Sequence, residues 1–192
     1  MPNLVPPHGS SQLNPRFVYD VSRNEKLQRE ARSLPGVMVS SAAAANAVML
    51  GGGYFNPLTG YMNKEDALSV AETMRTTGGL FWPVPILNLI KDAGPIKPGS
   101  RIALKDPNVE GHPPLAVMDV AAVERLSGAE LSHIANRVFG TTDPKHPGVA
   151  AFMAQGETLL SGPIEVLNFS YFQTEFPDTF RTAVEIRNEI NE

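Results

Sequence analysis

Arg101-Ile102-Ala103-Leu104, then Asp106-Pro107-Asn108-Val109-Glu110-Gly111, then Leu115-Ala116-Val117-Met118-Asp119-Val120, and a little further on Ser127-Gly128-Ala129-Glu130-Leu131-Ser132-His133-Ile134-Ala135-Asn136-Arg137-Val138-Phe139. The first and third runs are short and apolar, and the Pro, Asn and Gly between them mark a turn, so they predict two strands. The fourth run predicts a helix. Ser127 with Glu130 three residues on forms a capping box, Leu126 and Leu131 can staple the entry, and Leu131, Ile134, Ala135 and Val138 give the buried stripe.

Working outward, Asn63 to Thr76 predicts a second clear helix. Asn63 can cap it, Ala67, Val70, Ala71 and Met74 keep helical spacing, and Gly78-Gly79 is expected to end it. Asn24 to Ser33 predicts a charged helix with a thin stripe of Leu27, Ala31 and Leu34, stopped by Pro35-Gly36. Ser40 to Leu50 is Ala-rich and helix-prone, with Gly51-Gly52-Gly53 behind it. Leu80 to Ile90 is apolar but broken by Pro83 and Pro85, which suits an edge or bulged strand. Thr158 to Leu160 and Ile164 to Leu167 read as two strands flanking Ser161-Gly162-Pro163, and Val149 to Met153 as a short apolar segment. Residues 1 to 20 read as an extended arm, with Phe17-Val18-Tyr19 its strand-like run. Short strands mixed with modest helices give an α+β domain around a small barrel or curved sheet. Thr182 with Glu185 opens a last helix that meets no stop signal before Glu192, so the chain reads as a supporting domain whose chemistry lies further on.

Composition narrows the function classes. The chain has 192 residues, and its 16 basic against 20 acidic side chains leave a net charge of −4. Such a balance disfavours a nucleic acid partner unless the cations cluster. Arg16, Arg23, Lys26, Arg29 and Arg32 do gather near the start, but Glu25 and Glu30 interrupt them, which predicts a salt-bridged helix surface. There are no cysteines, hence no disulfide framework or thiolate metal site. The start Met1-Pro2-Asn3-Leu4-Val5-Pro6-Pro7-His8 lacks the charged and apolar blocks of a signal peptide, and no stretch reaches the roughly 20 apolar residues of a membrane span. The expected setting is cytoplasmic, with no membrane partner.

Candidate chemistry reads mostly as structure. Gly51-Gly52-Gly53 is not followed by a Gly-Lys pair, and Asn56 stands where a dinucleotide fingerprint needs glycine, so these glycines predict a helix C-cap. The four histidines, His8, His112, His133 and His146, are scattered. Asp143-Pro144-Lys145-His146-Pro147 could present a carboxylate beside an imidazole, although Pro-bounded Asp and His commonly fix a turn. Glu65 with Asp66, and Glu185 with Glu189, suit helix starts or solvated faces. No serine-nucleophile elbow occurs.

The less ordinary segments nevertheless line up with one family. Val5-Pro6-Pro7-His8-Gly9, Gly53-Tyr54-Phe55-Asn56-Pro57-Leu58-Thr59-Gly60-Tyr61-Met62, Trp82-Pro83-Val84-Pro85 and Gly140-Thr141-Thr142-Asp143-Pro144-Lys145-His146-Pro147-Gly148-Val149 resemble, in order and spacing, the N-terminal part of ATP sulfurylase, sulfate adenylyltransferase, most closely forms of sulfur-oxidising bacteria. Ser161-Gly162-Pro163-Ile164-Glu165-Val166 and Phe180-Arg181-Thr182-Ala183-Val184-Glu185-Ile186-Arg187 carry the likeness on. The resemblance implies an α+β, PUA-like β-barrel (pseudobarrel) with added helices over residues 1–170, then a connector and the start of a catalytic nucleotidyltransferase domain over 171–192. It implies a parent that interconverts ATP plus sulfate and adenosine 5′-phosphosulfate plus pyrophosphate, where cationic groups and Mg²⁺ stabilise the leaving pyrophosphate. The family's Gln-x-Arg-Asn-Pro-x-His-x-x-His motif has no counterpart here. The expectation is therefore no catalytic, cofactor-binding or metal residue in this chain, with ATP and Mg²⁺ belonging to the parent. The expected partners are the missing catalytic domain and, through the parent, further copies of the chain. The competing readings are a stand-alone PUA-like module for RNA or protein, and an assembly scaffold.

Overall fold

The computed structural model describes residues 4–191. In chain order its elements are α1 (Val21–Ser33), β1 (Gly36–Met38), α2 (Ser41–Gly51), β2 (Gly60–Tyr61), α3 (Lys64–Thr73), β3 (Leu89–Ile90), β4 (Arg101–Lys105), β5 (Pro114–Asp119), β6 (Ala122–Arg125), α4 (Gly128–Phe139), α5 (Pro147–Met153), β7 (Thr158–Val166), α6 (Phe172–Glu175) and α7 (Ala183–Asn191). Helices and strands mix along the chain, as an α+β fold requires. The chain divides into two compact units: Met1–Gly60 with Arg101–Asp119 and Pro163–Glu192, and Tyr61–Ser100 with Val120–Gly162.

In the first unit β1 lies parallel to β4, β4 antiparallel to β5, and β5 antiparallel to the end of β7 through Ala116↔Val166 and Met118↔Ile164. Ile102, Ala103, Leu104, Leu115 and Val117 are buried on these strands. α1 covers them with Leu27 and Ala31, which join Val18, Ala103, Val117 and Leu167 in one apolar cluster. Asp20 starts that helix by accepting from the Arg23 amide at 2.7 Å, the exchange of a side-chain oxygen for a missing helical partner that favours Asp at this position. α2 packs on β5, and its buried Ala43, Ala44 and Ala47 permit a close approach. Gly51 is required where that helix ends, since an added Cβ would lie 2.9 Å from Val166 Cγ1.

In the second unit β3 and β6 both pair antiparallel with the start of β7. α3 packs against α4, and α4 against α5. Ala67, Val70, Leu131 and Ile134 are the buried faces. The capping box is complete: Ser127 Oγ accepts from the Glu130 amide at 3.3 Å, and Glu130 Oε2 accepts from the Ser127 amide at 2.7 Å. Ser127→Ala is expected to lower stability by about 1 kcal/mol in chemical denaturation, and an unmoved midpoint would rule out a capping role.

Several local expectations need correction. The two predicted strands around Ser161-Gly162-Pro163 are one strand, β7, whose ladder runs from Thr158 to Val166 with Gly162 at φ 143°. Glycine tolerates that backbone, so the Gly-Pro pair bends a strand without ending it. Val149 to Met153 belongs to a helix, α5, with Pro147 at its first position, where the missing amide costs nothing. α3 stops at Met74, left-handed at φ 54°, ahead of Gly78-Gly79. Only Leu89–Ile90 of the 80–90 segment is ladder strand, because Pro83 and Pro85 lack amides. α1 starts at Val21, earlier than Asn24. The short strands β1, β2 and β6 had too little periodicity to predict.

Candidate functional site

A recess in the second unit lies at the start of α4, a cleft of about 300 Å³ lined by Lys64, Arg125, Ser127, Gly128, Glu130 and Glu157. A helix N-terminus flanked by two cations would suit an anion. Its charges are already matched, however. Lys64 Nζ lies 2.8 Å from Glu130 and Arg125 Nη2 lies 2.6 Å from Glu157. Lys64, followed by the Ser127 amide and hydroxyl, holds the Glu130 carboxyl at about 2, below its ordinary 4.5. Because the folded value is the lower one, the stability that Glu130 contributes is complete above about pH 4.5 and is lost as pH falls towards 2. This cluster is a charged brace for α3 and α4.

The predicted candidates sit as follows. His146 caps α5, its Nδ1 accepting from the Val149 amide at 3.4 Å, and its ring packs 5.5 Å from Phe139. Asp143 accepts from the Lys145 amide at 2.9 Å. Both therefore fix the turn into α5, the structural alternative weighed from the sequence. His133 Nε2 lies 3.1 Å from Glu72, which also takes Arg137 at 3.2 Å. His112 Nδ1 lies 2.9 Å from the Asp106 carbonyl. Asp66 caps nothing in solvent alone, for its Oδ1 accepts the Thr77 amide and hydroxyl at 2.8 and 2.7 Å. Glu185 completes a box with Thr182, and Glu189 pairs with Arg181 at 3.0 Å. The Thr182 amide and hydroxyl, with Arg181 nearby, hold Glu185 below the usual carboxylate range.

The early basic cluster is a salt-bridged surface: Arg23 pairs with Glu165, and Arg29 with Glu25 at 3.9 Å. Sequence reasoning missed the residue at its centre. Arg101 reaches Glu30 at 2.8 Å, Asp119 at 2.7 Å and Glu165 at 3.2 Å. Burial works against its charge, but the hydrogen bonds and charges of these three carboxylates outweigh it and push the pKa up. It was invisible because Glu30 and Glu165 are far off in sequence and meet Arg101 only through the packing of α1 on β4 and the β4, β5 and β7 register.

Gly51-Gly52-Gly53 ends α2 as expected. Its amides close the helix, Gly52 donating to Val48 O and Gly53 to Leu50 O, and its carbonyls face outward: Leu50 O accepts from Arg16, Gly51 O from Phe17 and Gly52 O from Ala183. A helix C-terminus carries partial negative charge, so the turn does not fit an ATP phosphate. Among the described residues no group of three His, Cys, Asp or Glu could hold a metal ion. No helix among them is long and apolar enough to cross a membrane.

Residues 5–169 match the family described as PUA-like domain. The chain belongs to the PUA-like family. Over 189 residues this PUA-like chain is 61% identical to a sulfate adenylyltransferase of Allochromatium vinosum, covering 98% of this chain and 48% of the relative. It is equally close, 61% identical, to a sulfate adenylyltransferase of Alcanivorax borkumensis, of which it covers 47%. A third sulfate adenylyltransferase, from the Riftia pachyptila sulfur-oxidizing endosymbiont, is 50% identical and 43% covered. The resemblance read from the motifs is thus upheld, and the PUA-like chain spans about half the length of the curated relatives it matches. Among solved structures the hexameric APS kinase from Thiobacillus denitrificans shares the fold, with a TM-score of 0.70 at 24% identity over 98% of this chain and 31% of that one.

Proposed function

We propose that this chain is the N-terminal, non-catalytic part of a sulfate adenylyltransferase, whose whole enzyme interconverts ATP plus sulfate and adenosine 5′-phosphosulfate plus pyrophosphate in sulfur metabolism. The observation that carries this reading is the match to nearly all of this chain and only about half of the relative, at 61% identity. On this reading ATP and Mg²⁺ are used by the whole enzyme, of which this chain covers about half. The setting is the cytoplasm, and further copies of the chain associate through the whole enzyme.

Residues 171–192 serve as connector and opening of the catalytic nucleotidyltransferase domain. Two features support this. The family match ends at residue 169, and α7 has a well-capped start but no buried residue, with Ile190 half exposed. A helix with an apolar side and nothing buried is what a partner would complete.

The purified chain, given ATP, sulfate and Mg²⁺, is expected to release no pyrophosphate above a contamination control, and to make no ATP in the reverse direction. Sulfate-dependent turnover by this chain alone would overturn the assignment. Fusing the remaining part of the Allochromatium vinosum relative after α7 is expected to give turnover that the chain lacks, and an inactive though folded fusion would count against the N-terminal placement.

A further inference from the structure

Two segments far apart in sequence meet on one short turn. At its near end Asn56, buried, donates through Nδ2 to the His8 carbonyl at 2.8 Å and to Ser10 Oγ at 2.7 Å, while its Oδ1 accepts from the Asn14 amide at 2.8 Å. All three partners lie on the N-terminal arm. At the other end the Gly52 carbonyl accepts from the Ala183 amide at 2.8 Å, and the Tyr54 hydroxyl donates to the Arg181 carbonyl at 2.6 Å. Both of these partners lie at the start of α7. Between the ends stands Gly53, at φ +81°, where an added Cβ would lie 3.5 Å from Pro15 Cβ and 3.7 Å from Ala183 Cβ. The arm and the helix therefore both lie beside the same glycine. Arg187, on α7 itself, closes the circuit by donating to the Val5 carbonyl at 2.9 Å.

The helix needs these contacts. It has nine residues and no buried side chain, and helices that short do not hold together in water alone. The arm is in the same position, for between residues 4 and 17 it carries no helix and no ladder strand. Each is held by a few hydrogen bonds, most of them to the turn and one, Arg187 to Val5, directly between the two, and elements of that kind open locally and cheaply.

We infer that the arm, residues 5–14, is a strap that orders α7 through the Gly52–Asn56 turn, so that arm and helix are held and released together. The turn is the shared element whose conformation both segments bias, and such coupling acts equally in both directions. The coupling stands on contacts within this chain. Its consequence, that the strap sets the direction in which the chain leaves α7 towards a following domain, rests on the function proposed above.

Amide hydrogen exchange on the purified chain tests it from both sides. Asn56→Ala, which frees the arm, is expected to speed exchange in α7 at Ile186 to Ile190 by about tenfold, the effect of losing roughly one net hydrogen bond. Tyr54→Phe, which weakens the helix side, is expected to speed exchange at Ser10 to Arg16 by a similar factor. The amides of α4 should not change in either variant, which separates release of the strap from general destabilisation. Should Asn56→Ala fail to fold, Ser10→Ala, a change confined to the arm, is read in the same way with a smaller factor. A variant that loosens only its own segment, leaving the other as protected as in the parent chain, would overturn the strap. Because no catalytic readout enters, this result is independent of whether the chain belongs to a larger enzyme.

Discussion

Gly156→Ala is expected to destabilise the fold by on the order of 3–5 kcal/mol. Gly156 holds φ +118°, a conformation that side chains other than glycine's rarely adopt. The new Cβ would also lie 2.3 Å from the Ile90 carbonyl oxygen and 2.6 Å from the Lys91 amide nitrogen. Those are backbone atoms at the end of β3, where Ile90 is in register with Thr158 of β7. They cannot yield as a side-chain tip would, so relief comes only by parting β3 from β7. Gly94→Ala is the control, since Gly94 also has a positive φ but nothing within 4 Å of an added Cβ. It should cost about 1 kcal/mol. Equal denaturation midpoints for the two variants would refute the close backbone approach at Gly156.

Leu104→Ala should cost about 3 kcal/mol, within the range of roughly 2–5 kcal/mol seen when a fully buried leucine is cut back. Leu104 is 0% exposed on the interior strand β4, flanked by β1 through Val37 and by β5 through Ala116. Strands on both sides limit how far the surroundings can collapse into the space left behind, which favours the upper part of that range. Chemical denaturation measures the loss. A change below about 1 kcal/mol, the scale of an exposed position, would mean that Leu104 is not packed between the neighbouring elements.

Much of the local structure was legible because it rests on neighbours in sequence. Ser127 with Glu130, and Thr182 with Glu185, announce helix starts, and both pairs bond as spaced. Asn63 and Ser40 likewise cap the helices that follow them. The apolar runs at Arg101 and Leu115 are strands for the same local reason. The family, too, could be read from ordered motifs, because turn-forming groups such as Phe55-Asn56-Pro57-Leu58 carry information at each position. The Asn56-Pro57 turn is a structural joint whose partners on the arm were out of reach of any local pattern.

Legible along the chain, therefore, were its α+β composition, the starts of its main helices and the PUA-like family. Those depend on capping, periodicity and turn chemistry acting over a few residues. Folding in three dimensions alone revealed that Thr158 to Val166 is one strand serving β3, β5 and β6, that Arg101 gathers carboxylates from α1, β5 and β7, and that the arm and α7 share the Gly52–Asn56 turn. Each of these is a pairing between residues tens of positions apart, fixed by strand register and the closure of long loops, and no spacing along the chain encodes it.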